Sequence, residues 1–266
     1  MTAPSAGRRA GWRPVAALAA LDGRKLIVHP AFLVGVGFSL IGSANFIRAS
    51  TAAGRITWDD DAWTVGAGFV VLALFTMIAS NIAALRDRRE HTVEQHSMLP
   101  VPPSQRTAGL LVAGAFPTAA SAGLLVMIAG YGATQVPLTA VDRVHLAGLV
   151  AVVALMTVLG VALAIWLPSP FIAPLVAWAV VFSTPSDRPR PWQVLTLLAA
   201  PRDAALAAWH VAYIAGITII VATAALARTA RGRTIGIGAV VGVASTVISS
   251  IVLVSNACPL PGRCRF

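Results

Sequence analysis

The sequence predicts an all-α, polytopic membrane protein with six core spans and a seventh span at the C-terminus. Of the 266 residues, 57% are hydrophobic and only 11% are charged, whereas soluble domains carry about 25% charged residues. The mean hydropathy is +0.79. The apolar residues also fall into long runs, and a run of about 20 residues is what a helix needs to cross the hydrocarbon of a bilayer.

Six apolar runs are long enough to cross. They cover residues 31–49, 62–85, 108–131, 144–167, 204–227 and 235–256. Each run is expected to be a helix, because an unpaired strand cannot satisfy its backbone polar groups in lipid.

Segment 171–183 decides how many times the chain crosses. It is short, contains Pro174 and follows two further prolines, so it is either a crossing or a re-entrant segment. Cytoplasmic loops are usually rich in Lys and Arg. Counted over the whole chain, the excess of these residues on the inner side is larger if the segment is re-entrant. The basic turn from Arg228 to Arg233 favours a crossing, because charges nearest the span ends weigh most. We expect a crossing. With the N-terminus in the cytoplasm, seven crossings then place the C-terminus outside the bacterial cell membrane.

The chain divides into three parts under this topology. Residues 1–30 form a cytoplasmic segment with an interfacial amphipathic helix, residues 31–230 form the six-span membrane domain, and residues 231–266 form the extra span and a short external tail. In the amphipathic helix, Leu18, Leu21 and Val28 are expected to face lipid, and Arg24 and Lys25 to face lipid phosphates.

The net charge of +10 is interpreted as a membrane signal. The Arg residues lie between apolar runs, which is typical of topology control and of contact with anionic lipid head groups. Membrane lipids are therefore expected partners, and nucleic acid is not.

The spans lack the residue types that catalysis or ion coupling requires. Apart from residues at their edges, the runs contain no Asp, Glu, Lys or Arg, which disfavours a proton- or sodium-coupled carrier. The sequence also contains no His-Glu-x-x-His motif and no Gly-x-x-x-x-Gly-Lys-Ser/Thr phosphate loop. We expect no enzymatic activity, no cofactor and no metal site.

A few polar or small residues within the runs have two interpretations. His210 either contacts a substrate or relays protons, or it belongs to an interfacial aromatic belt with Trp209 and Tyr213, which is the favoured interpretation. Asn45 and Asn81 are expected to bond neighbouring helices instead of serving transport. In the last run, small residues four apart predict close helix packing; they are Gly236, Gly238, Gly242, Ser245 and Ser249.

The only cysteines, Cys258 and Cys264, lie in the C-terminal tail with Pro259, Pro261 and Gly262 between them. A tight turn there would allow a disulfide, which fits an external tail because lasting disulfides form outside the reducing cytosol. Two unpaired thiols or a metal pair are the alternatives.

The loop after the second run is the most distinctive segment. It reads Arg86-Asp-Arg-Arg-Glu90-His-Thr-Val-Glu94 and continues through Leu99-Pro100 to Arg106. A short surface helix over residues 92–99 is predicted, because acidic residues at positions 87, 90 and 94 share one helical face and prolines follow. A plain solvated loop is the alternative.

This pattern resembles the membrane subunits of type-two, exporter-like ABC transporters. Those subunits have a span ending in Arg, then Thr-x-Glu, Leu-Pro and a Ser–Arg segment before the next span. The opening Gly23-Arg-Lys-Leu26, which leads into His29-Pro30, is also similar, and the resemblance covers roughly residues 20–230. Two features depart from the family: His91 stands where Gly is usual, and a seventh span follows the six that the family fold needs.

The resemblance implies a permease whose loop docks on a separate cytoplasmic ATPase, with the N-terminal helix beside that contact. Two copies, or this chain and a paralogue, would enclose the pathway. A non-transporting membrane scaffold or regulator is the alternative, and a secondary carrier is a less favoured one. The implied docking residues and their neighbours are Arg86, Arg89, Glu90, Thr92, Glu94 and Leu99.

Overall fold

The computed structural model describes residues 12–53, 58–89, 102–134, 138–182, 204–230 and 233–257. Within these ranges the regular elements are α-helices, and no strand occurs there. In chain order they are α1 Trp12–Ile27, α2 Pro30–Ala53, α3 Trp58–Arg89, α4 Pro103–Ala113, α5 Ala115–Ala133, α6 Ala140–Trp166, α7 Ile172–Phe182, α8 Ala204–Thr229 and α9 Arg233–Ala257.

Five segments of the described chain are long and apolar enough to cross a membrane. They are 65–86, 103–133, 140–166, 204–229 and 235–253, and α1 with α2 counts as a sixth when this bent pair is taken as one span. The chain is therefore a multi-pass helical membrane protein, as predicted. The predicted apolar runs are helical where the structure describes them, apart from Gly114 and Leu167.

The apolar segment 103–133 consists of two helices, α4 and α5, which meet at Gly114. Pro117 lies in the first turn of α5, where it has no N–H to donate and its ring crowds the carbonyl four residues earlier. At the same junction, the backbone N–H of Gly114 donates to the carbonyl of Leu111, three residues back, at 3.2 Å. The interruption thus has a local cause in the sequence.

The packing places α3, α6 and α8 at the centre. α3 packs between α2 and α6, α8 packs between α6 and α9, α5 lies against α6, and α1 lies against α4. The largest fully buried apolar side chains come from the central helices and include Phe69, Leu72, Met77, Val152, Val153 and Ile214.

The helix ends fix the direction of the chain. Arg228, one residue before the end of α8, places its guanidinium carbon 5.9 Å from the ring centroid of Trp166, the last residue of α6. Because α6 and α8 also pack along each other, they run in the same direction. α3 crosses α6 near the C-terminal ends of both helices, where Asn81 bonds to Gly160. We call this end of the bundle the Arg86 end and the opposite end the Arg143 end.

The connection between α6 and α8 must lead from the Arg86 end to the Arg143 end, since the two helices are parallel. α7 lies in this connection and has 11 residues, about 16 Å of helix. That is too short to cross the hydrocarbon unaided. α9 then runs antiparallel to α8, because Ser245 donates to the carbonyl of Ala212 while Gly238 meets Thr223.

The Arg143 end of α6 is closed by a capping box. The Thr139 hydroxyl accepts from the backbone N–H of Asp142 at 3.2 Å, and the Asp142 carboxylate accepts from the backbone N–H of Thr139 at 2.8 Å. The pattern Thr139-x-x-Asp142 satisfies two backbone donors that a helix start leaves unpaired.

Candidate functional site

The predicted docking loop leaves the bundle at the Arg86 end. Arg86 is exposed, and the helical backbone of α3 continues through Arg89. Glu90, Thr92, Glu94 and Leu99 lie outside the described residues, so their role in docking remains a prediction.

The chain re-enters the described structure at α4, and α1 is packed directly against it. A Cβ atom added at Gly109 of α4 would lie 3.1 Å from the Cβ of Leu18, and one added at Gly23 of α1 would overlap the ring of Phe116 at the start of α5. The buried face of α1 consists of Val15, Ala19, Gly23 and Leu26. The N-terminal helix therefore lies beside the helix that follows the loop.

One sequence-based expectation for α1 is wrong. Leu18 was expected to face lipid, but it packs on Gly109. The other two apolar residues of that expectation are exposed, Leu21 to 54% and Val28 to 68%. Leu18 lies on the flank of the helix that approaches α4, and its type alone does not distinguish protein from lipid as its neighbour.

α1 and α2 are separated by a turn at His29. The imidazole Nδ1 accepts from the backbone N–H of Ala31 at 3.2 Å, which caps the start of α2. Partial burial lowers the pKa of the His29 imidazole from its ordinary value, because desolvation disfavours the charged form. The two helices are bent by 55° at this point.

The tightest contact of the central helices is at Gly160. A Cβ atom there would overlap the carbonyl oxygen of Met77 and lie 3.0 Å from the Cβ of Ser80. Asn81, which is fully buried, donates from Nδ2 to the carbonyl of Gly160 at 3.3 Å. Asn81 thus bonds a neighbouring helix as expected. Asn45, by contrast, is exposed on α2 in this single chain, so the expected bond stays a prediction there.

The α8–α9 contact also depends on glycine. A Cβ at Gly216 would lie 2.5 Å from the Thr246 hydroxyl oxygen, and one at Gly242 would lie 3.0 Å from the backbone nitrogen of Ile220. Gly238 and Gly242 of the predicted small-residue pattern face α8, whereas Gly236 faces open space. The pattern did predict close packing; the structure adds α8 as the partner.

His210 is buried on α8, and its ring centroid lies 6.2 Å from that of Tyr213. Its position is seven residues into a helix that starts at the Arg143 end, in agreement with the predicted placement near one end of the span. Among the residues that the structure describes, no group of three or more His, Cys, Asp or Glu side chains could hold a metal ion. Cys258 and Cys264 lie beyond the last described residue, so the disulfide stays a prediction.

Sequence reasoning missed Gly160, Gly216 and Gly114 as contact points. Each is a glycine in an apolar run, which is the available signal, but nothing in the sequence distinguishes them from Gly123 or Gly130, where a Cβ would meet nothing within 4 Å.

Together these features define a class: a multi-pass α-helical membrane protein whose crossing helices approach each other at glycines. No protein-family model, curated protein or solved structure matches this chain. A narrower assignment therefore rests on the residues themselves.

Proposed function

We propose that this chain is the permease subunit of an ATP-driven ABC transporter. It would form the translocation pathway, with a second copy or a paralogue, and be coupled to a separate cytoplasmic ATPase through the loop at residues 86–107. ATP binding and hydrolysis are assigned to another polypeptide, because this sequence contains no phosphate-binding loop of the Gly-x-x-x-x-Gly-Lys-Ser/Thr type.

One observation carries this proposal. The resemblance assigns the ATPase contact to the loop after α3 and places the N-terminal helix, which is far away in sequence, beside that contact. α1 packs against α4, which is the first helix after that loop. α1 and the start of α4, where the loop ends, therefore lie side by side at the Arg86 end. A single ATPase could contact both the loop and α1 there.

The charge distribution supports a permease over an ion-coupled carrier. In the five segments long enough to cross, Asp, Glu, Lys and Arg occur in the described chain only in the first or last turn: Arg86, Arg106, Asp142, Arg143 and Arg228. Ion-coupled carriers usually place ionisable groups within their spans. The charge distribution does not argue against a non-transporting scaffold. The experiment below distinguishes a scaffold from a permease.

The first experiment asks where ATP is hydrolysed. The full chain, purified from its native membrane in mild detergent, is expected to bring a separate ATP-binding protein with it, and the chain alone to have no ATPase activity. Robust hydrolysis by the chain alone would refute the proposal. Proton-driven uptake into liposomes without a partner would favour the carrier, and a bound ATPase without transport would favour the scaffold.

The second experiment tests the loop. If Glu90 and Glu94 face a basic surface of the ATPase, reversing both charges with Glu90→Lys and Glu94→Lys should cost a few kcal/mol of partner affinity. The matched control, Asp59→Lys with Asp60→Lys, makes the same charge change at the other end of α3. Retention of the ATPase on an affinity column should fall only for the loop variant; equal retention in both variants would contradict docking through this loop.

We further propose seven crossings, with a cytoplasmic N-terminus and an external C-terminus. The parallel directions of α6 and α8 support a crossing between them. In intact cells, a membrane-impermeant maleimide should label Cys258 and Cys264 only after mild reduction, if they form an external disulfide. Labelling without reduction would keep the external tail but remove the disulfide. Labelling that requires cell lysis would refute the external C-terminus.

A further inference from the structure

The outward face of α1 is separate from the face that packs on the bundle. The buried residues Val15, Ala19, Gly23 and Leu26 follow helical spacing along one side. A second stripe at spacings of four, four, three and four residues follows the opposite side, and all its members are exposed: Arg13, Ala17, Leu21, Arg24 and Val28. We refer to these five residues as the outer stripe.

The outer stripe combines two cations with three apolar side chains. Lys25 lies beside it and forms a 4.0 Å ion pair with Asp22. Arg13 and Arg24 are exposed, while Leu21 and Val28 expose more than half of their surface. Hydrocarbon surroundings would leave the guanidinium groups unsolvated, and water would leave the leucine and valine surrounded by solvent. The boundary between acyl chains and head groups suits both kinds of side chain.

The geometry of α1 is compatible with that boundary. α2 is 24 residues long, about 36 Å of helix, which by length exceeds the roughly 30 Å of a bilayer's hydrocarbon. The 55° bend at His29 turns α1 away from the direction of α2. α1 is held in this orientation by its buried face, which packs on α4 and α5, so the outer stripe points away from the bundle.

We infer that the outer stripe is a binding surface for anionic phospholipid. The two guanidinium groups bind lipid phosphates, while Leu21 and Val28 enter the outer part of the acyl region. Two cations on a fixed helix favour an anionic head group over a zwitterionic one, because the latter carries its own compensating cation. This inference goes beyond the proposed transport function and does not depend on an ATPase.

The test measures which lipids the full chain retains. The chain is extracted from vesicles of equal parts phosphatidylglycerol and phosphatidylcholine, and the retained lipids are quantified. Each cation near an anionic surface contributes roughly a fivefold preference, so Arg13→Gln with Arg24→Gln should lower the phosphatidylglycerol preference about 25-fold. The matched control is Arg48→Gln with Arg143→Gln, which removes two exposed cations outside α1. The control should retain the wild-type preference; an equal loss in both variants, or none in either, overturns the inference.

A second measurement locates the stripe without removing a charge. A nitroxide is attached at Ala17→Cys in a chain that also carries Cys258→Ser and Cys264→Ser, reconstituted in the same vesicles. We expect collision with oxygen and with a water-soluble nickel complex at the levels found for head groups. Full exposure to the nickel complex would place the stripe in water. Protection from both reagents would indicate a protein partner, and either result overturns lipid binding.

Discussion

Replacing Gly160 with alanine should destabilise the bundle, because this glycine lies where α3 and α6 approach each other closely. The added Cβ would overlap the carbonyl oxygen of Met77 and approach the Cβ of Ser80 to 3.0 Å. Since the first of these neighbours is backbone, no rotamer change removes the overlap, and α3 and α6 must separate. Overpacking of this kind costs about 1–3 kcal/mol.

Separation of the helices would also weaken the bond from Asn81 to the Gly160 carbonyl. Hydrogen bonds between transmembrane helices contribute about 0.6 kcal/mol on average. Alanine regains up to about 1 kcal/mol of helix propensity over glycine, so the expected net loss is about 1–3 kcal/mol. The matched control is Gly130→Ala in α5, where a Cβ meets nothing within 4 Å. Alanine favours helix over glycine by up to about 1 kcal/mol, so this control should be neutral or stabilising.

The assay is reversible unfolding of the purified chain in mixed micelles of mild detergent and dodecyl sulfate, followed by circular dichroism. The free energy of unfolding should fall for Gly160→Ala and stay level or rise for Gly130→Ala. Changes of the same sign and size in both variants would show that the α3–α6 contact is not as close as the geometry requires, and the reasoning would fail.

Three smaller effects should be measurable in the same assay. Asn81→Leu should cost less than about 1 kcal/mol, because it removes one bond between helices together with a buried Oδ1 that has no hydrogen-bond partner among the described residues; a loss above 3 kcal/mol would contradict this. Thr139→Ala should cost about 1 kcal/mol by opening the capping box of α6, and Thr139→Ser should largely restore it. Arg228→Gln and Trp166→Leu should be coupled by about 0.5–1 kcal/mol in a double-mutant cycle, whereas no coupling would argue against the parallel arrangement of α6 and α8.

The positions of the helices could be predicted from the sequence because lipid leaves few alternatives. An apolar run of sufficient length must be helical to satisfy its backbone, and the observed helices contain the predicted runs 31–49, 62–85 and 235–256. Some helices are longer than the predicted apolar runs, because the polar residues at the ends of the run are also helical. α3, for example, reaches from Trp58 to Arg89.

The contacts between helices could not be predicted in the same way. A span that is apolar on all sides gives no periodic signal for the face that meets protein. Asn45 and Asn81 illustrate this, because both are amides within apolar runs, yet one is exposed and the other bonds Gly160. Leu18 shows the same for an apolar residue, because it was expected to face lipid and instead packs on Gly109. The side of a helix that meets a neighbour depends on helix rotation, which the sequence encodes only through the shapes of all its partners.

The positions of the glycines follow from the same physics. Between helices in lipid, burying apolar surface yields little free energy, since acyl chains are as apolar as leucine, and association depends on close packing and on polar contacts. The close contacts here form a series on both sides of the α6–α8 pair, with Gly160 between α3 and α6, and Gly216 and Gly242 between α8 and α9. Between them, α6 and α8 are joined by apolar packing and by the Arg228–Trp166 contact. The series reaches the last span, α9, which packs mainly on α8. α9 is thereby fixed to the bundle by small residues, while most of its large apolar side chains are exposed on the surface of the bundle.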